Sequence, residues 1–209
     1  MQPDSVYVTF EGGEGKGKST QVDRLAARCV ARGLAPLITR EPGGTPIGEA
    51  IRGVLLDPAN QPGAAAEAFL MEAARAELVQ SVIRPALEAG RVVLSDRYDD
   101  STLAYQGGGR GLDLTLLADW NRAATGGLRP HLTVLLDLDP AVGLSRRSGA
   151  GGANRLDREP GEFHRRVRAC YLAIARREAA RFVVLDAARS PDEIEREVWE
   201  AVERRLEDR

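Results

Sequence analysis

Cysteine, histidine and long apolar runs are all scarce in this chain. Its two cysteines, Cys29 and Cys170, stand far apart and match no metal-ligand spacing. Cys29 falls on the apolar side of a predicted helix, where a reduced core thiol is expected. The two histidines, His131 and His164, have no second ligand near them in sequence and read as structural. No apolar stretch approaches the roughly 20 residues of a membrane span. The opening "MQPDSVYVTF" lacks the basic start and apolar stretch of a secretion signal, so the cytoplasm is the default location. An excess of one charge is missing too, since 29 Lys and Arg against 31 Asp and Glu leave a net charge of -2. There is therefore no global basic field for nucleic acid or an anionic membrane. Any anion must be held by local placement of charge.

What is present is a soluble, globular composition, 43% hydrophobic and 29% charged over 209 residues, enough for one domain. Five short β-rich runs are predicted strands: "VYVTF", "LAPLITR", "RVVLS", "HLTVLLDLD" and "RFVVLDA". The nearly unbroken apolar run of the fourth predicts burial on both faces. Helical periodicity fills the intervals. One helix follows the first strand, and another starts at a cap-like Thr45 with Pro46 behind it. A third runs from about Ala64 to Ala89 with a kink expected at Pro85. Further helices are predicted over "DLTLLADWNRAAT", "PAVGLSRRS" and "EPGEFHRRVRACYLAIARREAA". The last, "SPDEIEREVWEAVERRLEDR", carries a capping signature. Trp120 and Trp199 fall on helices and are expected to fill core or subunit contacts. Alternating strands and helices predict a parallel sheet covered on both faces. No linker or repeat divides the chain, so one domain is expected, with a weakly structured, arginine-bearing stretch near 146–160.

The densest signal is "GGEGKGKST". Gly12, four residues, then Gly17, Lys18 and Ser19 fit the phosphate-loop pattern, with a strand before and a helix after. Glycines let the backbone wrap a phosphate with its N–H groups inward, and the helix N-terminus adds partial positive charge. Gly12, Gly13, Glu14, Gly15, Lys16, Gly17, Lys18, Ser19 and Thr20 are thus candidate ATP-phosphate residues. Lys18 bridges the β- and γ-phosphates in such loops, and Ser19 holds Mg²⁺. A GTP switch needs a guanine-reading N-K-x-D, which is absent, and a motor or helicase is usually longer. A small phosphotransferase remains.

"LSDRYDDSTLAYQGGGRG" suggests the acceptor side. Asp96 lies at the carboxyl end of the third strand, placed to hold Mg²⁺ directly or through water. Arg97 offers a planar fork for phosphate, and Tyr98 and Tyr105 offer flat or hydrogen-bonding surfaces.

Together "FEGGEGKGKSTQ", "TREPGGTPIGE", "FLMEAARAELV", "DRYDDSTLAYQGGGRG" and "RLDRE" resemble the bacterial thymidylate kinase family over essentially the whole chain. The resemblance implies a P-loop NTPase fold of five parallel strands, a mobile lid and a homodimer. It implies transfer of the ATP γ-phosphate to dTMP, giving dTDP and ADP. By position, Arg97 resembles the arginine that contacts phosphates near the acceptor, and Arg75 the one that hydrogen-bonds thymine. Ser101, Tyr105 and Gln106 resemble residues lining the thymidine pocket. Glu14 sits where the family's loop carboxylate meets the sugar. Arg146, Arg155 and Arg158 lie in or beside the lid-like stretch that reaches over the donor phosphates.

Two positions depart from the family. Met71 stands where an aromatic residue often stacks on the base, with Phe69 nearby as a substitute. Lys16 stands where a small residue is usual; it either leans outward into water or touches a phosphate. The competing readings are a kinase for another nucleotide or deoxynucleoside, and a non-catalytic ATP binder.

Overall fold

The computed structural model describes residues 5–149 and 154–207. The predicted strands become β1 (Tyr7–Glu11), β2 (Leu37–Arg40), β3 (Val93–Asp96), β4 (Leu132–Asp137) and β5 (Phe182–Asp186). They form one sheet in the order β2-β3-β1-β4-β5, every pairing parallel. From β1 the chain crosses to β2 and β3 on one side and to β4 and β5 on the other. The crevice at the carboxyl end of β1 is therefore where a ligand site belongs.

The helices are α1 (Lys18–Ala31), α2 (Pro46–Leu56), α3 (Ala64–Leu78), α4 (Arg84–Glu88), α5 (Asp99–Thr102), α6 (Leu114–Thr125), α7 (Pro140–Gly149), α8 (Gly161–Arg177) and α9 (Pro191–Glu207). Several starts follow from their sequence. Thr45 Oγ1 accepts from the Gly48 N–H at 2.9 Å, with Pro46 at the first helical position. Glu193 Oε2 accepts from the Ser190 N–H at 3.1 Å while Ser190 Oγ accepts from the Glu193 N–H at 3.3 Å, a reciprocal capping box. The long helix expected over 64–89 is interrupted by a π turn at Val79–Ile83. That turn includes Ser81, four residues before Pro85, where the proline ring meets the preceding carbonyl.

Alternation in β1 sorts its side chains by face. Val8 and Phe10 join Val22, Leu25, Cys29, Val198 and Trp199 beneath α1 and α9. Tyr7, on the other face, packs with Leu78, Ile83, Leu87 and Tyr98. Each fully buried apolar side chain adds about 1.5–3 kcal/mol relative to exposure. These two layers hold β1 rigid, and β1 carries the loop.

The stretch between α5 and α6 is rich in glycine, which disfavours a helix in isolation. It is a π-helical segment, Leu103–Gly109, and the glycines are there for packing. A Cβ on Gly108 would lie 2.6 Å from Cys170 Cβ, and one on Gly109 2.5 Å from the Phe163 ring. Close approach to α8 excludes side chains at both.

Candidate active site

Residues Gly12–Gly17 turn between β1 and α1. Gly15 and Gly17 adopt φ of 65° and 81°, conformations that side chains resist. Gly17 caps α1 without a side-chain hydrogen bond, so the first N–H groups of that 14-residue helix remain available to an anion. Lys18 opens α1 and is 7% exposed. Its Nζ donates to the carbonyls of Gly13 at 2.8 Å and Gly12 at 3.2 Å. Burial, then the neighbouring Arg97, pushes its pKa below the ordinary lysine value.

At the end of β3, Ser19 Oγ donates to Asp96 Oδ2 at 2.7 Å. Arg97 follows with φ 76°, the only non-glycine among the described residues at positive φ. Such a conformation costs about 1–3 kcal/mol and persists only when its surroundings enforce it. They do so here. Its N–H donates to the Phe10 carbonyl at 2.9 Å. Its guanidinium donates to Glu14 Oε1 at 2.5 Å, Tyr105 Oη at 3.0 Å and the Gly12 carbonyl at 3.1 Å. A deeper layer orients it further. Arg97 Nη1 reaches the hydroxyls of Ser101 and Tyr171 at 3.3 Å, and each donates to Glu11 Oε2 at 2.7 Å. Burial raises Glu11 to about 6, with Asp100 adding and Arg97 opposing. Burial acts the same way on Glu14, but Arg97 and Lys18 outweigh it and hold Glu14 down at about 2.

These groups share a cavity of about 460 Å³ with Met71, Arg75, Thr102 and Gln106. Arg75 is 1% exposed and heavily engaged. Its Nε donates to Glu41 at 2.8 Å; Nη1 reaches Glu72, Thr102 and Asn121 at 2.7, 2.9 and 2.8 Å; Nη2 donates to the Tyr98 carbonyl at 3.0 Å. A base acceptor in this recess would share protons with those partners. Gln106 Nε2 donates to buried Glu67 at 2.8 Å, which fixes its amide. The cavity lining carries eight basic side chains against three acidic ones, a balance suited to polyanionic ligands.

Most expected residues meet here: Glu14, Gly15, Lys16, Gly17, Lys18, Ser19, Thr20, Met71, Arg75, Asp96, Arg97, Ser101, Tyr105, Gln106 and Arg146 all line the cavity. Gly12 and Gly13 shape the loop and supply carbonyls to Lys18. Several expectations are corrected. Phe69 does not substitute for an aromatic at Met71; it is 55% exposed on α3 and stacks on Trp120 at 4.3 Å. Two residues before Met71 on a helix is roughly 200° around, the opposite side. Arg155 does not reach this cavity; it is buried against Glu67 at 2.5 Å and the Leu55 carbonyl at 3.0 Å. Arg158 lies beside it on a separate surface cleft with Arg110 and Glu159. Lys16 does not lean into water, its side chain being 3% exposed. Tyr98 is buried against Tyr7 and offers no surface. Residues 150–153 of the expected lid lie outside the described residues.

Sequence reasoning missed Arg40, Arg52 and Arg147, which also line the cavity. Arg40 is within the "TREPGGT" run and Arg147 adjoins Arg146, so both had a signal. Arg52 had none, being one arginine on an amphipathic helix.

Ser19 Oγ and Asp96 Oδ2 form a pair of hard oxygen donors beside Lys18, which fits Mg²⁺. Among the described residues no group of three or more His, Cys, Asp or Glu could hold a metal ion. The donor set therefore suits a cation that takes its remaining ligands from phosphates and water.

A parallel five-stranded sheet with a phosphate loop at its central strand, and a base-sized recess opening into the same cavity, defines a P-loop nucleotide-binding protein. A thymidylate kinase family model matches residues 10–198. A thymidylate kinase of Deinococcus radiodurans is 54% identical over 200 residues, covering 96% of this chain and 97% of that protein. One of Solidesulfovibrio magneticus is 53% identical, covering 94% and 98%. The crystal structure of thymidylate kinase from Ehrlichia chaffeensis superposes with a TM-score of 0.79 at 31% identity, covering 96% and 99%. The chain belongs to the thymidylate kinase family.

Proposed function

We infer that this chain, as one thymidylate kinase domain over 1–209, transfers the γ-phosphoryl group of ATP to dTMP. The observation that carries the reading is the meeting of two anion sites, Lys18 in the loop and Arg97 at β3, in a cavity that also contains the Met71–Arg75–Gln106 recess. The loop N–H groups and Lys18 take the donor phosphates. The recess takes thymine, with Met71 covering the ring through its thioether. Arg97, between them, takes the acceptor phosphate.

The attacking atom is a phosphate oxygen of dTMP, largely ionised at neutral pH, so no general base is assigned. Catalysis is positioning and charge neutralisation. Lys18 exchanges loop carbonyls for phosphate oxygens. Arg97, prepaid in backbone strain and held by Glu14 and Tyr105, keeps the acceptor in line. Arg146 and Arg147 approach the donor from α7. Ser19 and Asp96 would hold Mg²⁺, which neutralises charge on the β- and γ-phosphates when bound.

A panel of dTMP, dUMP, dGMP, dCMP and thymidine with ATP tests the acceptor. dTMP is expected to be phosphorylated with the highest kcat/KM; preference for another acceptor would reassign the recess.

The same reading includes a homodimer. Ile47, Val54, Phe69, Leu114 and Leu116 are exposed on α2, α3 and α6, whose helices pack side by side. Light scattering is expected to give twice the monomer mass, and Phe69→Glu to shift it toward the monomer. A monomeric wild type would remove the dimer. The substrates are small molecules, with no nucleic acid or membrane partner, and the cytoplasm is the assigned location. Among the described residues no helix is long and apolar enough to cross a membrane.

A further inference from the structure

Between the phosphate loop, α7 and α8 lies a small space of about 10 Å³, room for one water molecule. Lys16, His164 and Arg168 line it together with Gly13 and Glu14 of the loop. Two of these residues carry unfinished polar groups. The Lys16 side chain is 3% exposed, and its ion-pair partner, Asp137 Oδ1, stands 3.8 Å from Nζ, beyond hydrogen-bond length. Asp137 is already held by both arms of Arg168, at 2.7 and 2.8 Å. His164 is 5% exposed, and its Nε2 is buried with no hydrogen-bond partner. Its other nitrogen donates to the Glu159 carbonyl, which makes Nε2 an acceptor.

A lysine whose ion pair is longer than a hydrogen bond and a buried, unpartnered imidazole nitrogen thus border one water-sized space. Leaving the imidazole nitrogen unsatisfied is costly, and contacts longer than 3.5 Å are commonly completed by water. We propose that a single internal water accepts from Lys16 and donates to His164 Nε2, forming a strap that ties the phosphate loop to α8 and positions it for the donor. Lys16 is then a positioning residue. Its side chain packs over the loop glycines, since a Cβ on Gly13 would lie 3.1 Å from Lys16 Cε. The charges facing it are Asp137 from β4, Arg168 from α8, and Lys18 and Arg97 from the cavity. Three of the four repel it, so its charge is not there for stability.

The proposal rests on the loop being the donor site, and its test reads binding rather than turnover. A high-resolution crystal structure is expected to show one water within hydrogen-bond distance of Lys16 Nζ and His164 Nε2. Calorimetric titration with ATP is expected to give about tenfold weaker binding for Lys16→Met, the size of effect a small loop displacement produces. dTMP affinity should change by less than about twofold, and the melting temperature should not fall, because an apolar isostere relieves a buried charge. His164→Phe is expected to weaken ATP similarly, and the double variant no further than either single one. A dry cavity, a direct Lys16–His164 bond, unchanged ATP affinity in Lys16→Met, or equal loss for ATP and dTMP would each overturn the strap. Absence of phosphoryl transfer in the wild type would instead defeat the functional reading and leave these measurements intact.

Discussion

The ammonium of Lys18 donates to the carbonyls of Gly12 and Gly13, acceptors that offer only partial charge for a buried cation. Full anionic charge on a donor phosphate would be the stronger partner, which is the physical basis for the role proposed for it. Lys18→Ala is expected to lower kcat by about 10³-fold or more, as loss of a group stabilising transition-state charge does. The melting temperature should hold, because the variant removes a desolvated charge. Steady-state kinetics beside a thermal melt check this; near-normal kcat would take Lys18 off the donor phosphates. Other residues were less legible. Glu14 and Arg97 were visible as motif positions, but their 2.5 Å pair and the Ser101–Tyr171–Glu11 layer behind it join residues up to 160 positions apart. No spacing rule reaches across that distance. For Lys16 only the solvated alternative fails: a lysine in a glycine turn reads as solvated, and the carboxylate that draws it inward, Asp137, comes from another strand.

Elements were read well where period and caps agreed, as in α2, α6 and α9, and poorly where tertiary crowding decided. The π segment Leu103–Gly109 is built from residues that break helices in isolation. Contacts with α8 and α6 override their propensity. Arg155 was assigned to the lid by its place in the chain, yet buried Glu67 of α3 captures it. The helix that brings Arg146 and Arg147 to the cavity is α7. It sits directly on the phosphate loop: a Cβ on Gly143 would overlap the Glu14 carbonyl oxygen, and one on Gly15 the Gly143 carbonyl oxygen. Gly143→Ala is therefore expected to lift α7 and withdraw Arg146 and Arg147. The KM for ATP should rise about tenfold while that for dTMP changes much less. Equal changes in both, or none, would show that this contact does not place the arginines.

Across the whole molecule, the sheet, its parallel sense and the position of the site followed from the alternation of strands and helices. The strand order did not, because it depends on which crossover packs where. The core also contains carboxylates whose burial raises their pKa values: Glu11 to about 6, Glu41 to about 7 and Asp99 to about 8. A raised carboxylate contributes stability that is complete below its unfolded value and is lost as pH rises through its folded value. Glu14, held down at about 2, acts oppositely, and its contribution fades only as pH falls below about 4. Between pH 5.5 and pH 8 the first group dominates, so stability should decline with rising pH. The urea midpoint is expected to be higher at pH 5.5 than at pH 8; the reverse order would mean that these carboxylates are ionised without cost.

The proposed function has one phosphoryl group pass between two nucleotides bound in the cavity that Lys18 and Arg97 line. The most direct test follows the phosphorus atom itself, with ATP labelled at the γ position incubated with the protein, Mg²⁺ and dTMP. The label is expected in dTDP, one equivalent for each ADP formed. Label released as inorganic phosphate, with no labelled dTDP, would contradict the account.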